Sequence, residues 1–184
     1  MRVISGSAKG KRLKELQGMD TRPTTDRVKE GLFNAIQFHI EGSHVLDLFA
    51  GTGQLGIECL SRGAACAVFV DERKDAVALV KENLAATRLA DRARVVQGDA
   101  MSYVASCGEK FHLIFLDPPY DTGKLERALE RIAAFDILAE HGIIVCESPV
   151  GRTLPQLPPP HVQGRSYRYG KINVTLYHRE ASVE

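Results

Sequence analysis

The sequence predicts an α/β fold with a mostly parallel central sheet, a C-terminal antiparallel β-hairpin and a small N-terminal arm. The main observation is an alternation, from His44 to Cys146, of short apolar runs typical of buried strands with segments of helical spacing. Such an alternation indicates a parallel sheet with helices on both of its faces. The second observation is a pair of strand-like segments joined tightly at Gly170, which is typical of a hairpin.

The elements follow in a regular order. Strands are predicted over 45–49, 67–70, 94–96, 111–116 and 143–146, and helices over about 25–38, 54–62, 73–87, from 100 onward, and over 123–134. The threonines and Asp26 before the first helix are good N-cap candidates. Residues 154–160 hold four prolines and are predicted to form a loop, because proline fits neither a helix interior nor a central strand. The hairpin strands are predicted over 166–169 and 172–178.

Composition fits one globular domain of 184 residues with a net charge of +1. We expect residues 1–20 to form a basic arm or hairpin and residues 21–184 to form the α/β core. The four cysteines lie in or beside apolar stretches without C-x-x-C spacing, so we expect reduced core thiols and a cytoplasmic protein. The sequence offers no metal-like cluster, no transmembrane run and no exposed apolar stripe, so we expect no metal, no membrane contact and a monomer.

The N-terminal arm is basic on an otherwise neutral chain. Residues 1–14 contain no acid and five cations, which are Arg2, Lys9, Lys11, Arg12 and Lys14. A local basic segment suggests contact with a polyanion at one end of the molecule. The alternative is a solvated terminus without a partner.

A glycine-rich turn follows the first strand. Gly51, Gly53 and Gly56 match G-x-G-x-x-G, and Asp71 lies 20 residues after Gly51. This fingerprint alone is compatible with a nicotinamide dinucleotide. It is also compatible with a turn that binds no ligand.

Three acids favour S-adenosylmethionine over a dinucleotide. Asp47, on the strand before the glycines, could meet the ammonium group of the methionine part, whereas it would repel a pyrophosphate. Asp71 ends the second strand and could accept from both ribose hydroxyls, and Asp99 follows the third strand and could accept from the adenine amino group. Ligands of such sheets bind at the carboxyl ends of the strands. Each acid alone could instead be a helix N-cap.

The fourth strand ends in Asp117-Pro118-Pro119-Tyr120. An exocyclic amine on a base is a poor nucleophile, because its lone pair is delocalised into the ring. The Asp117 side chain and the Pro118 carbonyl can accept from such an amine, the two prolines stiffen the turn, and Tyr120 offers a ring for stacking. A base in a duplex would have to be flipped out to reach this motif. The alternative is a proline-rich turn with a capping acid.

With these motifs the chain resembles the class I S-adenosylmethionine-dependent methyltransferases that carry an (N/D)PP(Y/F) motif, which have a Rossmann-like fold. Within them it is similar to the RsmD family of bacterial small-subunit ribosomal RNA guanine-N2 methyltransferases. The resemblance rests on five segments: 1–13, 22–30, 46–53, 117–120 and 169–177.

The resemblance implies methyl transfer from S-adenosylmethionine to N2 of a guanine in 16S ribosomal RNA, on an assembled or partly assembled small subunit. It implies that the basic arm reaches RNA phosphates and that Arg22 and Thr24 lie near the methionine end of the cofactor. Together with the glycine turn and the three acids argued above, the expected cofactor site consists of Arg22, Thr24, Asp47, Phe49, Gly51, Gly53, Asp71, Asp99 and Ala100. The residues themselves do not distinguish guanine from adenine.

Other functions stay open at this point. One alternative is an amino methyltransferase with another substrate, either adenine N6 in DNA or a protein glutamine. Another is a non-catalytic RNA-binding or assembly protein that retains the fold, and a third is a dehydrogenase.

Overall fold

The computed structural model describes residues 1–17 and 25–181, and they build one seven-stranded sheet in the order β3-β2-β1-β4-β5-β7-β6. The strands are β1 (His44–Asp47), β2 (Cys66–Asp71), β3 (Ala93–Gln97), β4 (Phe111–Leu116), β5 (Leu138–Pro149), β6 (His161–Tyr169) and β7 (Ile172–Arg179). Strands β1 to β5 are parallel, β7 runs antiparallel to β5, and β6 runs antiparallel to β7. The predicted α/β sheet with a C-terminal hairpin is therefore confirmed.

Five helices cover the two faces of this sheet in the described part of the chain. They are α1 (Asp26–Ile36), α2 (Gln54–Ser61), α3 (Lys74–Thr87), α4 (Ala100–Ser106) and α5 (Lys124–Phe135). Successive residues of β1 point to opposite faces: Val45 packs in a core with α1, α2 and α3, whereas Leu46 packs in a second core with α4 and α5. None of the helices in the two described ranges has the length and apolar character to cross a membrane.

Helix α1 shows why the predicted elements form where they do. The Thr25 side chain accepts a hydrogen bond from the Val28 N–H at 3.4 Å and so caps the helix. Leu32, Phe33 and Ile36 lie on one face and are at most 1% exposed. The helix ends at Ile36, two residues before the predicted end, and a short 3-10 turn follows.

Two strands, β5 and β6, are longer than the sequence predicts by several residues, whereas β2, β3 and β7 exceed their predicted bounds by one residue at one or both ends. β5 extends beyond the apolar run 143–146 at both ends, and seven of its residues pair with β7. β6 begins at His161 rather than Ser166, with a register shift between Gln163 and Ser166. β6 is the edge of the sheet and most of its side chains are exposed, so its polar sequence carries no period-two signal.

The N-terminal arm is a hairpin that packs on the core. Arg2 and Arg12 form an antiparallel bridge, and Val3, Ala8 and Leu13 are at most 4% exposed. Such anchoring is incompatible with the alternative of a freely solvated terminus, at least for these three side chains.

The arm is held by a buried acid of α2. The N–H groups of Ile4 and Ser5 each donate to the Glu58 carboxylate at 2.9 Å. Lys29 of α1 and Arg62 also contact Glu58, each at 2.9 Å. Glu58 is fully buried, and these cations and amides hold its pKa below the usual value despite its burial.

The cysteines lie in two environments. All four are free thiols, but only Cys59 and Cys146 are buried, whereas Cys66 and Cys107 are partly exposed. The expectation of four core thiols is therefore wrong for the latter two. Cys66 begins β2 and Cys107 directly follows α4, and at such ends the apolar pattern no longer means full burial.

Candidate active site

A cavity of about 830 Å³ opens at the carboxyl ends of the parallel strands. This volume lies within the usual range of about 300–1,000 Å³ for small-molecule sites. The predicted site residues that line it are Phe49, Gly51, Asp71, Asp99, Ala100, Asp117, Pro118, Pro119 and Tyr120. The structure thus brings the glycine turn, two of the three acids and the whole Asp-Pro-Pro-Tyr motif to one site.

The glycines of the turn have separate roles. Gly51 (φ +56°) lines the cavity, and a Cβ added to it would meet no protein atom within 4 Å. Gly53 (φ +80°) precedes α2, and its added Cβ would lie 3.2 Å from Val80. Gly56 brings α2 against the sheet, since its added Cβ would lie 2.3 Å from the Phe69 ring. Of these three glycines, Gly51 is therefore the one that faces the cavity, while Gly53 shapes the turn and does not line the cavity.

Asp71 is fixed by two backbone amides. Its Oδ2 accepts from the Gly51 N–H and its Oδ1 from the Arg73 N–H, both at 2.9 Å. An ionised carboxylate offers about four acceptor positions. Both oxygens can therefore still accept from a pair of hydroxyls in the cavity.

Asp99 is both a helix cap and part of the cavity wall. Its Oδ2 accepts from the Ser102 N–H at 2.8 Å and from the Ser102 hydroxyl at 3.0 Å, at the start of α4. The Ser102 N–H lowers the pKa of Asp99, although burial works weakly against this. Asp99 is therefore the N-cap of α4, as the alternative interpretation of this acid predicts. Its lowered pKa favours the ionised form of the side chain, which lies beside Ala100 in the cavity.

Asp47 lies behind the cavity rather than on its wall. It is 2% exposed, and its Oδ2 accepts from the Gly56 N–H at 3.1 Å. Burial raises the pKa of Asp47 to about 7. The structure thus does not bring Asp47 into the site with the other acids. Arg22 and Thr24 lie outside the described residues.

The Asp-Pro-Pro-Tyr turn forms the other side of the cavity. Burial raises the pKa of Asp117 well above its usual value, and the charges of Glu147 and Asp47 raise it further. The Tyr120 hydroxyl donates to Glu147 Oε1 at 3.2 Å. Asp117 and Tyr120 are therefore linked electrostatically and by hydrogen bonding to an acid that the motif does not contain.

The sequence analysis did not predict Glu147 or the charged rim of the cavity, which is formed by Lys124 and Glu72. Glu147 is 6% exposed at the end of β5 and lines the cavity. The sequence feature that could have indicated Glu147 as a site residue is an acid directly after an apolar run, which is also how Asp71 was identified. Lys124 and Glu72 pair across the rim at 2.7 Å. No sequence signal links these two residues, which lie 52 positions apart.

The predicted RNA-binding cations of the arm differ in their partners. Arg2 pairs with Asp26 at 3.0 Å and Lys14 pairs with Glu82 at 2.7 Å. Lys9, Lys11 and Arg12 are exposed, and within the described ranges they form no ion pair.

The β6–β7 hairpin is a second basic surface, which the sequence analysis did not single out. Residues 161–179 contain no acid, and Arg165, Arg168 and Lys171 are exposed. Ile172 pairs with Pro149, so the hairpin turn lies at the same edge of the sheet as the end of β5. Nowhere in 1–17 or 25–181 are three His, Cys, Asp or Glu side chains grouped so that they could hold a metal ion.

Known proteins are similar to this chain in both sequence and fold. A family model described as Conserved hypothetical protein 95 matches residues 1–178. YlbH of Bacillus subtilis (strain 168), assigned as an rRNA methyltransferase, is 44% identical over 180 residues, which cover 96% of this chain and 98% of YlbH. Ribosomal RNA small subunit methyltransferase D of Escherichia coli (strain K12) is 38% identical over 184 residues, 100% of this chain and 92% of the relative.

A solved structure agrees with these sequence relatives. That of yhhF from Escherichia coli, assigned as a methyltransferase, has a TM-score of 0.89 and 36% identity, and the match covers 99% of both chains. The shared fold confirms the Rossmann-like class I methyltransferase architecture. Family model, sequence relatives and fold agree over nearly the whole chain, and this protein therefore belongs to the Conserved hypothetical protein 95 family, which is the RsmD family of methyltransferases.

Proposed function

We propose that this protein transfers a methyl group from S-adenosylmethionine to the exocyclic N2 of a guanine in 16S ribosomal RNA, on the assembled small subunit. The observation that carries the proposal is one cavity lined by Asp71 and Asp99 on one side and by Asp117-Pro118-Pro119-Tyr120 on the other. The name of the Escherichia coli relative supports ribosomal RNA of the small subunit as the substrate.

The cavity suits S-adenosylmethionine in size and in its donors and acceptors. Gly51 and Gly98 keep the backbone bare on its wall, since an added Cβ at either would meet no protein atom within 4 Å. We assign Asp71 to the ribose hydroxyls, Asp99 to the adenine amino group and Phe49 and Ala100 to apolar contacts with the cofactor. When bound, S-adenosylmethionine would supply an electrophilic methyl group on its sulfonium, so that the methyl–sulfur bond breaks as the methyl–nitrogen bond forms and the amine then loses one proton to water.

The chain positions the amine of the base. In this proposal the Asp117 side chain and the Pro118 carbonyl accept from the N–H groups, and the Tyr120 ring stacks on the base. The raised pKa of Asp117 favours its neutral form. A neutral carboxyl still accepts through its carbonyl oxygen, as the Asn of an (N/D)PP(Y/F) motif does. Good alignment alone can contribute about 7–11 kcal/mol to such a step, so no covalent enzyme intermediate is required.

The basic surfaces suit an RNA partner. We assign Lys9, Lys11 and Arg12 of the arm to phosphate contacts, because they are exposed and unpaired with described acids. Arg2 and Lys14 could add to these contacts by exchanging their acids for phosphates. The acid-free hairpin provides cations at the active-site edge of the sheet. We further propose that the chain is a single methyltransferase domain that works as a cytoplasmic monomer.

Methyl-labelled S-adenosylmethionine tests the proposal directly. The protein is incubated with free 16S RNA, with small subunits from cells that lack the activity, and with unmethylated DNA. The products are then digested and their nucleosides separated. We expect label in N2-methylguanosine, more from subunits than from free RNA. Label in N6-methyladenine, or no label on any nucleic acid despite cofactor binding, would contradict the proposal.

A further inference from the structure

Two acids stand side by side at the base-binding end of the cavity. β4 and β5 are parallel neighbours in which Leu116 pairs with Cys146. The residue that follows each of these two is an acid, Asp117 directly after the end of β4 and Glu147 within β5, and both line the cavity. The register therefore places two carboxyl groups next to each other where the sequence motif provides one.

Glu147 has a defined position in this pair. Its side chain is largely withdrawn from solvent, since the residue is only 6% exposed. Its Oε1 accepts from the Tyr120 hydroxyl at 3.2 Å, so the acid is held against the ring assigned to stacking. A carboxylate has about four acceptor positions, and Glu147 can accept from a base while it keeps this hydrogen bond.

The two purines differ at the position beside their amino group. Guanine presents its N2 amino group next to N1–H, which are two neighbouring donors. Adenine presents its N6 amino group next to N1, which is an acceptor. A site with acceptors for the amino group alone reads both bases alike. An additional carboxylate facing N1 attracts guanine and repels the N1 lone pair of adenine.

We propose that Glu147 selects guanine, by accepting from N1–H while Asp117 and Pro118 accept from the N2 amino group. The inference rests on the proposed function and deepens it. Sites that hydrogen-bond a substrate group reject analogues without it, and an analogue with an acceptor at N1 would turn a lone pair toward the Glu147 carboxylate. Glu147 thereby supplies the guanine preference that the Asp-Pro-Pro-Tyr motif, common to several amino methyltransferases, does not supply.

The test replaces the target guanine by 2-aminopurine, which keeps the 2-amino group but has an acceptor at N1. The RNA, in the form that the labelling experiment identifies as substrate, carries either base at the labelled position. For wild-type protein we expect kcat/KM on guanine to exceed that on 2-aminopurine by about a hundredfold or more.

Two variants change the acceptor. Glu147→Gln has an amide N–H that can donate to N1 of 2-aminopurine, and we expect the guanine preference to fall at least about tenfold. Glu147→Leu neither accepts nor repels, and we expect a preference near one, with most of the loss on guanine. Glu130→Gln, at an exposed position of α5, is the matched control and should keep the wild-type preference.

The ratio of two substrates on one variant is independent of the fraction of folded enzyme and of cofactor affinity. A purely structural role of Glu147 would lower both rates together and leave the ratio unchanged, which would overturn the inference. If wild-type protein forms N2-methylguanosine but both Glu147 variants keep its preference, only the role of Glu147 fails. If wild-type protein labels adenine instead, the proposed function fails and this role fails with it.

Discussion

The two sides of the cavity hold their acids in different ways. At the ends of β2 and β3, Asp71 and Asp99 accept hydrogen bonds from backbone N–H groups, and these acceptors are set before a ligand arrives. Where β4 ends and near the end of β5, Asp117 and Glu147 lie close together, Glu147 is only 6% exposed, and the pKa of Asp117 is raised by burial and by the charge of Glu147. Backbone amides thus fix the acceptors that we assign to the cofactor, whereas strand register places the acids that we assign to the base.

The largest effect that separates the two sides should come from Asp117. Replacing it by Ala removes an acceptor for the amine, and we expect kcat to fall by about 10²–10⁴-fold. The Kd for S-adenosylmethionine, measured by isothermal titration, should change little, because we assign the cofactor to the other side of the cavity.

Comparing Asp117→Asn with Asp117→Ala tests whether the acceptor oxygen of this side chain is sufficient for activity. Asp117→Asn keeps a carbonyl acceptor of the same shape, and the raised pKa favours a neutral acid at this position in the wild type. We therefore expect Asp117→Asn to retain far more activity than Asp117→Ala. Equal loss in both variants would show that the ionised carboxylate, rather than its acceptor oxygen, is required.

Asp47 should affect stability in a pH-dependent way. Its pKa of about 7 in the folded protein lies above the usual 3.8, so the folded state binds its proton more tightly than the unfolded state does. The resulting stabilisation is present at acid pH and is lost as the pH rises from about 4 to about 7, with a total on the order of 4 kcal/mol.

Asp47→Asn keeps an acceptor for Gly56 and removes this titration. Denaturant unfolding of both proteins at several pH values measures the difference in the free energy of unfolding. The free energy of unfolding of Asp47→Asn should increase relative to that of the wild type as the pH rises from about 4 to about 7. A difference that does not vary with pH would contradict the assignment.

Asp71 should act on cofactor affinity rather than on turnover. Hydrogen bonds to a charged group contribute about 1.5–3 kcal/mol, so Asp71→Ala should weaken S-adenosylmethionine binding by roughly ten- to a hundredfold. Saturating cofactor should restore most of kcat. Asp71→Asn is the control for the loss of backbone contacts. It retains one acceptor oxygen, so it can keep one of the two hydrogen bonds that Asp71 accepts from the N–H groups of Gly51 and Arg73. An unchanged Kd in Asp71→Ala would remove this residue from the cofactor site.

The smallest of these effects should come from Asp99, through the helix that it caps. Loss of an N-cap side chain costs about 1 kcal/mol, and Asp99→Ala should lower the free energy of unfolding by this amount. Asp99→Ser keeps a capping oxygen and should restore stability, but it lacks the carboxylate assigned to the adenine amino group. Equal cofactor affinity in Asp99→Ser and wild type would limit Asp99 to capping.

Local patterns were enough to predict most of the parallel sheet and about half of the cavity wall. The apolar run 111–116 matches β4 residue by residue, and each motif at the end of a strand came from neighbouring residues in sequence. The early part of β6 could not be predicted, because an edge strand is held by its partner's backbone and not by an apolar pattern.

Tertiary register accounts for what was missed in the site. Glu147 enters it because β5 lies beside β4, and Asp47 stays behind it because its side chain turns to the Gly56 amide. Neither fact is contained in the local sequence. An acid at a strand end is thus a good indicator of the correct edge of the sheet and a poor indicator of which acid reaches the ligand.

The attachment of the arm to Glu58 has a practical consequence for anyone who wishes to dissect RNA binding. A deletion of the first dozen residues would take two amide donors from a fully buried carboxylate and uncover apolar surface of the core. Glu58 would keep its contacts with Lys29 and Arg62, but each lost hydrogen bond to a charged group costs about 1.5–3 kcal/mol. The arm is part of the folded structure and cannot be deleted without destabilising the protein. Its cations therefore have to be replaced by single substitutions.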